Sequence, residues 1–314
     1  MVERVKTIAV IDGNHLAFRA HCVLHLSDSK GRNTSTIYGV TEMLSNLVRE
    51  YIPDALVVVW DGGKSQNRRN ILPTYKASRA PKTEEERKGK EEFYTQLIEV
   101  KHILDYLGVP QIEIEGYEGD DLLCAVTKLA HKRGYISLIV TSDKDMLQLV
   151  APDVFWLDPI RKRLVSQENF YAQMGMAKDD FLLFKCLQGD AGDDVPGIRG
   201  IGETYAKKLL QKYHSIDDLV SNAGTERPEK LVKGQREILE RNMKLVDLQQ
   251  FVTDEILVKA ETMMSSFRPI EANRLIEIFN DYEMKSLSNE LPELIALYNE
   301  LRGKNEEFIK RGNA

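Results

Sequence analysis

The chain has 314 residues, 42% of them hydrophobic, enough to bury one large core or two closely packed ones. Its longest apolar runs, LIVTS and ALVVVW, break at polar or charged residues within a few positions, which argues against a membrane span. The net charge of −6 weighs mildly against a nucleic-acid partner unless acids and bases are segregated on the surface.

The N-terminus, MVERVKTIAVIDG, carries an early acid and runs straight into a strand-like segment, so it does not read as a signal peptide. Cys22, Cys124 and Cys186 are widely separated with no CxxC pair, a pattern of reduced thiols in a cytoplasmic protein rather than a zinc or disulfide framework. Strand signals follow at 7–12 (TIAVID), 55–61, 111–116, 137–143 and 154–158. The second and fourth are nearly continuous apolar runs, as in parallel strands covered on both faces. Between them, Phe93, Leu97, Val100, Leu104 and Leu107 recur at helical spacing and stop at Gly108-Val109-Pro110. Leu122 to Ala130 repeat the pattern, in a helix expected to begin at Leu122, and stop at Gly134. Strands alternating with helices predict an α/β fold with a mostly parallel central sheet flanked by helices. Beyond about residue 175 the chain reads as helical, and GKNEEFIKRGNA at the C-terminus reads as a frayed tail. The expected division is an α/β core over 1–180 and a helical region over 181–314 packed on it.

Three strands end in aspartate: Asp12, Asp61 and Asp143, with Asp145 two residues on. Carboxyl ends of parallel strands share one sheet edge, where open α/β folds build their sites. Glu118, Asp120 and Asp121 follow another strand, and Asp190, Asp193 and Asp194 cluster in LQGDAGDDVPG. Any one of them alone is ordinary turn or helix-start chemistry. Together at one edge they repel strongly unless cations neutralise them. Oxygen-only donors suit Mg²⁺ or Mn²⁺, and two such ions can activate water and stabilise the leaving oxygen of a phosphodiester.

Two further segments are basic. In VPGIRGIGETYAKKLL, Gly197, Gly200 and Gly202 precede a helix starting near Glu203, an arrangement that admits a phosphate, with Arg199, Lys207 and Lys208 beside it. The bland alternative is a tight helix–helix connection. A helix over 181–188, bearing Lys185, completes a helix–hairpin–helix pattern at about 181–215. Residues 62–90 read as a long, flexible polar stretch carrying Lys64, Arg68, Arg69, Lys76, Arg79 and Lys82, with Tyr75 as a surface on which a base could stack, and TEEERKGKEEF then starts a helix. Most such charge runs are merely solvated.

Six segments in order, IDGNHLAFR, VWDGG, RRNILPTYKASR, EGYEGDDLL, TSDKDMLQL and LQGDAGDDVPGIRGIG, resemble the 5′-nuclease family of flap endonucleases and 5′→3′ exonucleases, most of all its stand-alone bacteriophage members. They cover most of residues 8–215, without the several hundred further residues of a DNA polymerase I fusion. The resemblance implies that Asp12, Asp61, Glu118, Asp120 and Asp121 hold a first metal, and Asp143, Asp145, Asp190 and Asp193 a second. It places Tyr75, Lys76 and Arg79 at the base of a helical arch spanning about 64–107, through which a 5′ single strand passes. Lys76 would contact the scissile phosphate, and Lys76, Arg79, Asp143 and Asp190 would be catalytic. Arg19, Arg68, Arg69 and Lys185 would join the DNA contacts. The hairpin from Gly197 to Gly202, with Lys207 and Lys208, corresponds to a helix–three-turn–helix that grips duplex DNA and in some members holds K⁺. Gly119 stands where alanine is common, Ser78 where asparagine is, and Thr204 and Tyr205 where lysine and threonine are.

The implied function is structure-specific 5′ nuclease activity in DNA replication or repair, by a monomer in the cytoplasm, or in the host cytoplasm if bacteriophage-encoded. The alternatives are an RNase H-type enzyme that removes primers from RNA–DNA hybrids, and a non-catalytic scaffold for branched DNA.

Overall fold

The computed structural model describes residues 5–266 and 268–312. Six strands form one sheet: β1 (Lys6–Asp12), β2 (Ala55–Val59), β3 (Gln111–Ile112), β4 (Tyr135–Val140), β5 (Val154–Asp158) and β6 (Arg163–Val165), in the order β3-β2-β1-β4-β5-β6. The first five are parallel, and β6 closes one edge antiparallel to β5. Both faces are covered, as a parallel sheet requires. Ile8 and Val10 of β1 point into one core, Ala9 and Ile11 into the other.

The second core holds α1 (Gly13–Val23), α2 (Ser35–Tyr51) and the lower part of α4 (Glu84–Tyr106) against the sheet. The short α3 (Gln66–Ile71) lies between β2 and α4. The first core is roofed by α5 (Gly119–Lys132), and it continues into the helical region through α6 (Phe170–Met174), α7 (Phe181–Gln188), α8 (Glu203–Leu210), α9 (Ile216–Asn222), α10 (Arg236–Val246) and α11 (Asp254–Met264). Finally α12 (Ala272–Asp281) and α13 (Lys285–Gly312) return to the second face. No helix among the described residues is long and apolar enough to cross a membrane.

Four sequence expectations change. The stretch before TEEERKGKEEF is not an irregular loop, because α3 and a short turn at Ala77–Arg79 occupy it, while α4 starts where that segment was expected to turn helical. Thr83 and Glu86 form a reciprocal capping box that starts α4 within the charge run. A two-stranded pair, Gly189–Asp190 with Val195–Pro196, lies in the region read as wholly helical. The helix expected from Leu122 begins at Gly119, so Asp120 and Asp121 lie inside its first turn. The described part of the supposed frayed tail is the end of α13: Asn305 accepts the Leu56 backbone N–H at 2.7 Å, and Phe308 is buried against Tyr135.

Candidate active site

The chain reverses direction across the sheet between β1 and β4, and a crevice opens there at the carboxyl ends of the strands. Asp12, the last residue of β1, caps α1 by accepting the His15 N–H at 2.9 Å. Its other oxygen accepts the Thr141 hydroxyl, from the end of β4, at 2.9 Å. Asp61, just past β2, accepts the Gly119 N–H at 2.6 Å, while its own N–H donates to Asn14 at 2.8 Å. A Cβ on Gly119 would sit 3.1 Å from the Asp61 carboxylate, close enough that the Asp61 side chain would have to shift by a few tenths of an ångström. Asp143 accepts the Asp145 N–H at 2.8 Å, and the Trp156 indole donates to the Asp143 carbonyl at 2.9 Å. Backbone hydrogen bonds thus aim these acids before any ligand arrives.

The opposite wall is built differently. Asp190 accepts the N–H groups of Gly192 and Asp193, and Lys185 donates to Asp190 and Asp145 at 2.6 Å each. Asp193 accepts the Tyr75 hydroxyl at 2.9 Å and pairs with Arg79. Lys76 lies 2.8 Å from Glu118 and 3.6 Å from Asp193. The Ser78 N–H donates to Asp194 at 2.7 Å and the Lys76 N–H to the Asp193 carbonyl at 3.0 Å, pinning the segment between α3 and α4 onto the 190–194 loop.

Seven aspartates, Asp12, Asp61, Asp120, Asp143, Asp145, Asp190 and Asp193, line one cleft of about 400 Å³ with Lys76 and Arg79. Burial, with Asp61 and Asp143 as further repelling charges, pushes Asp12 up to about 7. Burial also raises Asp145 to about 6 despite Lys185, and lifts Asp120 well above its ordinary value, with Asp143 adding to it. Across the cleft the balance reverses. Burial opposes ionisation of Asp190 and Glu118, but Lys185 holds the first, and Lys76 and Arg68 the second, below their ordinary values. Among the described residues no three acids, histidines or cysteines stand together at ligating distance. Lys185 and Lys76 explain part of this, since each draws carboxylates toward itself. The donors are all oxygen and carry excess buried charge, which fits hard divalent cations once those side chains turn inward.

Several sequence expectations need correction. Asp121 does not face the cleft: it is 1% exposed and takes a bidentate pair from Arg68 at 2.7 and 2.9 Å. Arg68 is 2% exposed and stacks on Phe251 at 3.9 Å, so it is a buried strut and not a DNA contact. Tyr75 is 4% exposed with its hydroxyl on Glu118 and Asp193, which removes it as a stacking platform. Lys185 points into the acids rather than out toward DNA. Glu118 stands behind the cleft lining, on Tyr75 and Lys76. Arg19 is exposed on α1, and Arg69 lines the opening between α3 and α4. Sequence reasoning passed over Asn14, His15 and Thr141, although the first two lie two and three residues after Asp12; His15 lines the cleft with its Nε2 buried and unpartnered.

The hairpin follows the acid loop directly. A Cβ on Gly197 would meet the Gln188 carbonyl at 2.2 Å, so glycine there serves close packing at the hairpin base. Gly200 has φ +88°, the left-handed region that favours glycine, and Gly202 caps α8. Lys208 is exposed, whereas Lys207 pairs with Glu203 at 2.7 Å.

Fold and cleft together define an α/β nuclease. The N-terminal resolvase-like domain of 5′-3′ exonucleases matches residues 7–175, and their C-terminal SAM fold matches residues 176–268. A 5′-3′ exonuclease of Aquifex aeolicus is 32% identical over 291 residues, 92% of this chain and 96% of the relative. The thermostable DNA polymerase I of Thermus aquaticus is 34% identical over 222 residues, 70% of this chain; that match spans 26% of the polymerase. Among solved structures, bacteriophage T5 5′-exonuclease with bound divalent metal ions (zinc) superimposes with a TM-score of 0.73 at 23% identity, covering 82% of this chain and 98% of that one. Bacteriophage T5 flap endonuclease in a complex with DNA and metal ions gives 0.67 at 21% identity, covering 94% and 100%. The chain belongs to the 5′-3′ exonuclease family.

Proposed function

We propose that this chain is a structure-specific 5′ nuclease that cuts DNA near single-strand/duplex junctions with the help of two divalent cations, Mg²⁺ or Mn²⁺. The observation that carries this reading is the cleft of seven aspartates bordered by Lys76 and Arg79. Asp12, Asp61, Asp120 and Asp143 would hold one cation, and Asp143, Asp145, Asp190 and Asp193 the other. When bound, such ions supply an activated water and neutralise charge on the attacked phosphate.

The chain's own groups orient and select. Lys76, its charge reinforced by Glu118 and Asp193 against the effect of burial, places a fixed cation at the cleft wall beside the reacting phosphate. Arg79 adds a second. Tyr75 fixes Glu118 and Asp193 by hydrogen bonds to both, so it positions Lys76 rather than touching substrate. Arg69, Lys64 and Lys90 line the opening of about 660 Å³ between α3 and α4, a path of suitable charge for a 5′ single strand. The hairpin holds the duplex behind it. Phage T5 flap endonuclease, with the same fold, has been solved with DNA and metal ions, which supports the substrate class. The free thiols are consistent with action in a reducing cytoplasm.

The test is cleavage of 5′-labelled flap DNA, blunt duplex and an RNA–DNA hybrid side by side with Mg²⁺. The expected result is cutting fastest at the flap junction and none with a chelator. Preference for the hybrid would transfer the reading to primer removal, and no cutting of any substrate would refute it.

A further inference from the structure

α5 joins two ends of the sheet. Its first turn, with Asp120, lies at the acid cleft, and its last residues, His131 and Lys132, lie about 20 Å further along the helix axis, near the start of β5. At that far end is a concavity of about 340 Å³, walled by the C-terminal half of α5 and by the segment leading into β5.

Its floor is apolar. Cys124, Leu149 and Val154 are buried there, and Ala151 adds a methyl group. The Thr127 hydroxyl donates to the Leu123 carbonyl at 2.8 Å, so it leaves no unsatisfied donor in the wall. Burial pushes the Cys124 thiol up to about 12; it stays protonated and serves as apolar surface rather than as a nucleophile.

The rim is basic. Lys128 and Lys132 stand on it one helical turn apart, and neither forms an ion pair or a hydrogen bond among the described residues. No residue of α5 three or four places from either lysine is acidic, so the two repel each other without compensation from their own helix. The next cation, Arg133, is paired with Glu261, and Asp153, the acid in the lining, is engaged by His131. Gln249 is exposed beside them, and its side-chain amide has no partner among the described residues.

An apolar floor beneath two free cations is complementary to a segment in which an apolar side chain is flanked by carboxylates. The side chain fills the concavity, the carboxylates reach the lysines, and the Gln249 amide meets the peptide backbone. Nucleic acid is a poorer match, because the floor offers a phosphate no donor and two lysines are too few to hold a duplex. A segment seated at this end of α5 leaves the acid cleft open.

We propose that this concavity is a docking site for a partner protein, which inserts an apolar side chain from an acidic segment while neighbouring carboxylates pair with Lys128 and Lys132. The site acts as a tether with no part in the chemistry, and it does not rest on the nuclease reading.

The test presents the full-length chain to an array of acidic peptides, each carrying one leucine, isoleucine, methionine, phenylalanine or tryptophan. Control peptides have serine at that place, or lysines instead of the acids. The tightest binder is then titrated by fluorescence anisotropy. Binding should be micromolar, should require both the apolar residue and the acids, and should weaken as salt rises. Lys128→Glu combined with Lys132→Glu should weaken it by about 10- to 100-fold, while Lys128→Arg with Lys132→Arg should retain it. Ala151→Leu fills the floor without altering charge and should weaken it at least about tenfold. Flap cleavage without peptide should match wild type in all of these variants. The proposal is overturned if no acidic peptide binds, or if binding survives either the charge reversal or Ala151→Leu in a folded variant. Displacement of the peptide by a single-stranded oligonucleotide of equal charge also overturns it, by assigning the surface to nucleic acid. If the doubly reversed variant unfolds, Lys132→Glu alone decides: wild-type affinity overturns the proposal, and weaker binding supports it.

Discussion

The two walls of the cleft carry the same residue type and opposite electrostatic balance. On the sheet wall, Asp12, Asp120 and Asp145 are pushed upward, burial being the largest cause and neighbouring aspartates adding to it. On the loop wall, Asp190 is held down by Lys185 and Asp193 is paired with Arg79, and behind the lining Glu118 is held down by Lys76. The sheet wall is therefore poised to take up cations, whereas the loop wall already holds its own and must release or share them when a metal binds. Parallel strands account for the first arrangement, because their ends converge whatever the charge of the residues there. The second depends on long side chains arriving from the arch and from α7.

The largest effect should come from either wall in the cleavage assay: Asp143→Asn and Asp190→Asn should each lower cutting below detection while duplex binding in chelator persists. The walls should separate in metal-free stability. Asp120→Asn relieves burial cost and repulsion from Asp143, Asp12 and Asp61 and should raise the melting temperature. Asp190→Asn leaves Lys185 with Asp145 alone and should cost about 1 to 3 kcal/mol. Equal shifts of the same sign would erase the distinction. Next, Lys76→Ala should reduce kcat by about 100- to 1000-fold, and Tyr75→Phe by about 10- to 100-fold through lost positioning. Arg68→Met should cost about 3 to 5 kcal/mol by stranding Asp121, with no change in the salt dependence of DNA binding.

A smaller effect follows from pH. Asp12 and Asp145 bind protons more tightly folded than unfolded, so their contribution is fully present below about pH 4. It is lost as pH rises through about 6 and 7. The difference in melting temperature between Mg²⁺-loaded and metal-free chain should accordingly widen from pH 5 to pH 8. A constant difference would contradict the assignment of these two residues.

The strand-end acids were legible because a β-branched run followed by aspartate states both the element and its end. The resemblance misplaced Asp121, since position within a helical turn, and not proximity in sequence, decides which of Asp120 and Asp121 faces the cleft. Arg68 and Tyr75 were misread for a related reason. A polar, charged stretch looks like a solvated surface until α10 and the loop after α7 are known to fold over it. The start of α4 was legible in TEEERKGKEEF, where Thr83 and Glu86 form the capping box. Thr141 gave no signal, because its role lies in a contact with Asp12 across the crevice.

The most direct measurement is the number of Mn²⁺ ions bound per chain with flap DNA present, by electron paramagnetic resonance, alongside cleavage on the same samples. Two ions should bind to the wild type, and replacing Asp12 and Asp61 with Asn should remove at least one together with all cutting. Cleavage that persists in chelator, or Mn²⁺ bound equally by the double variant, would contradict the account.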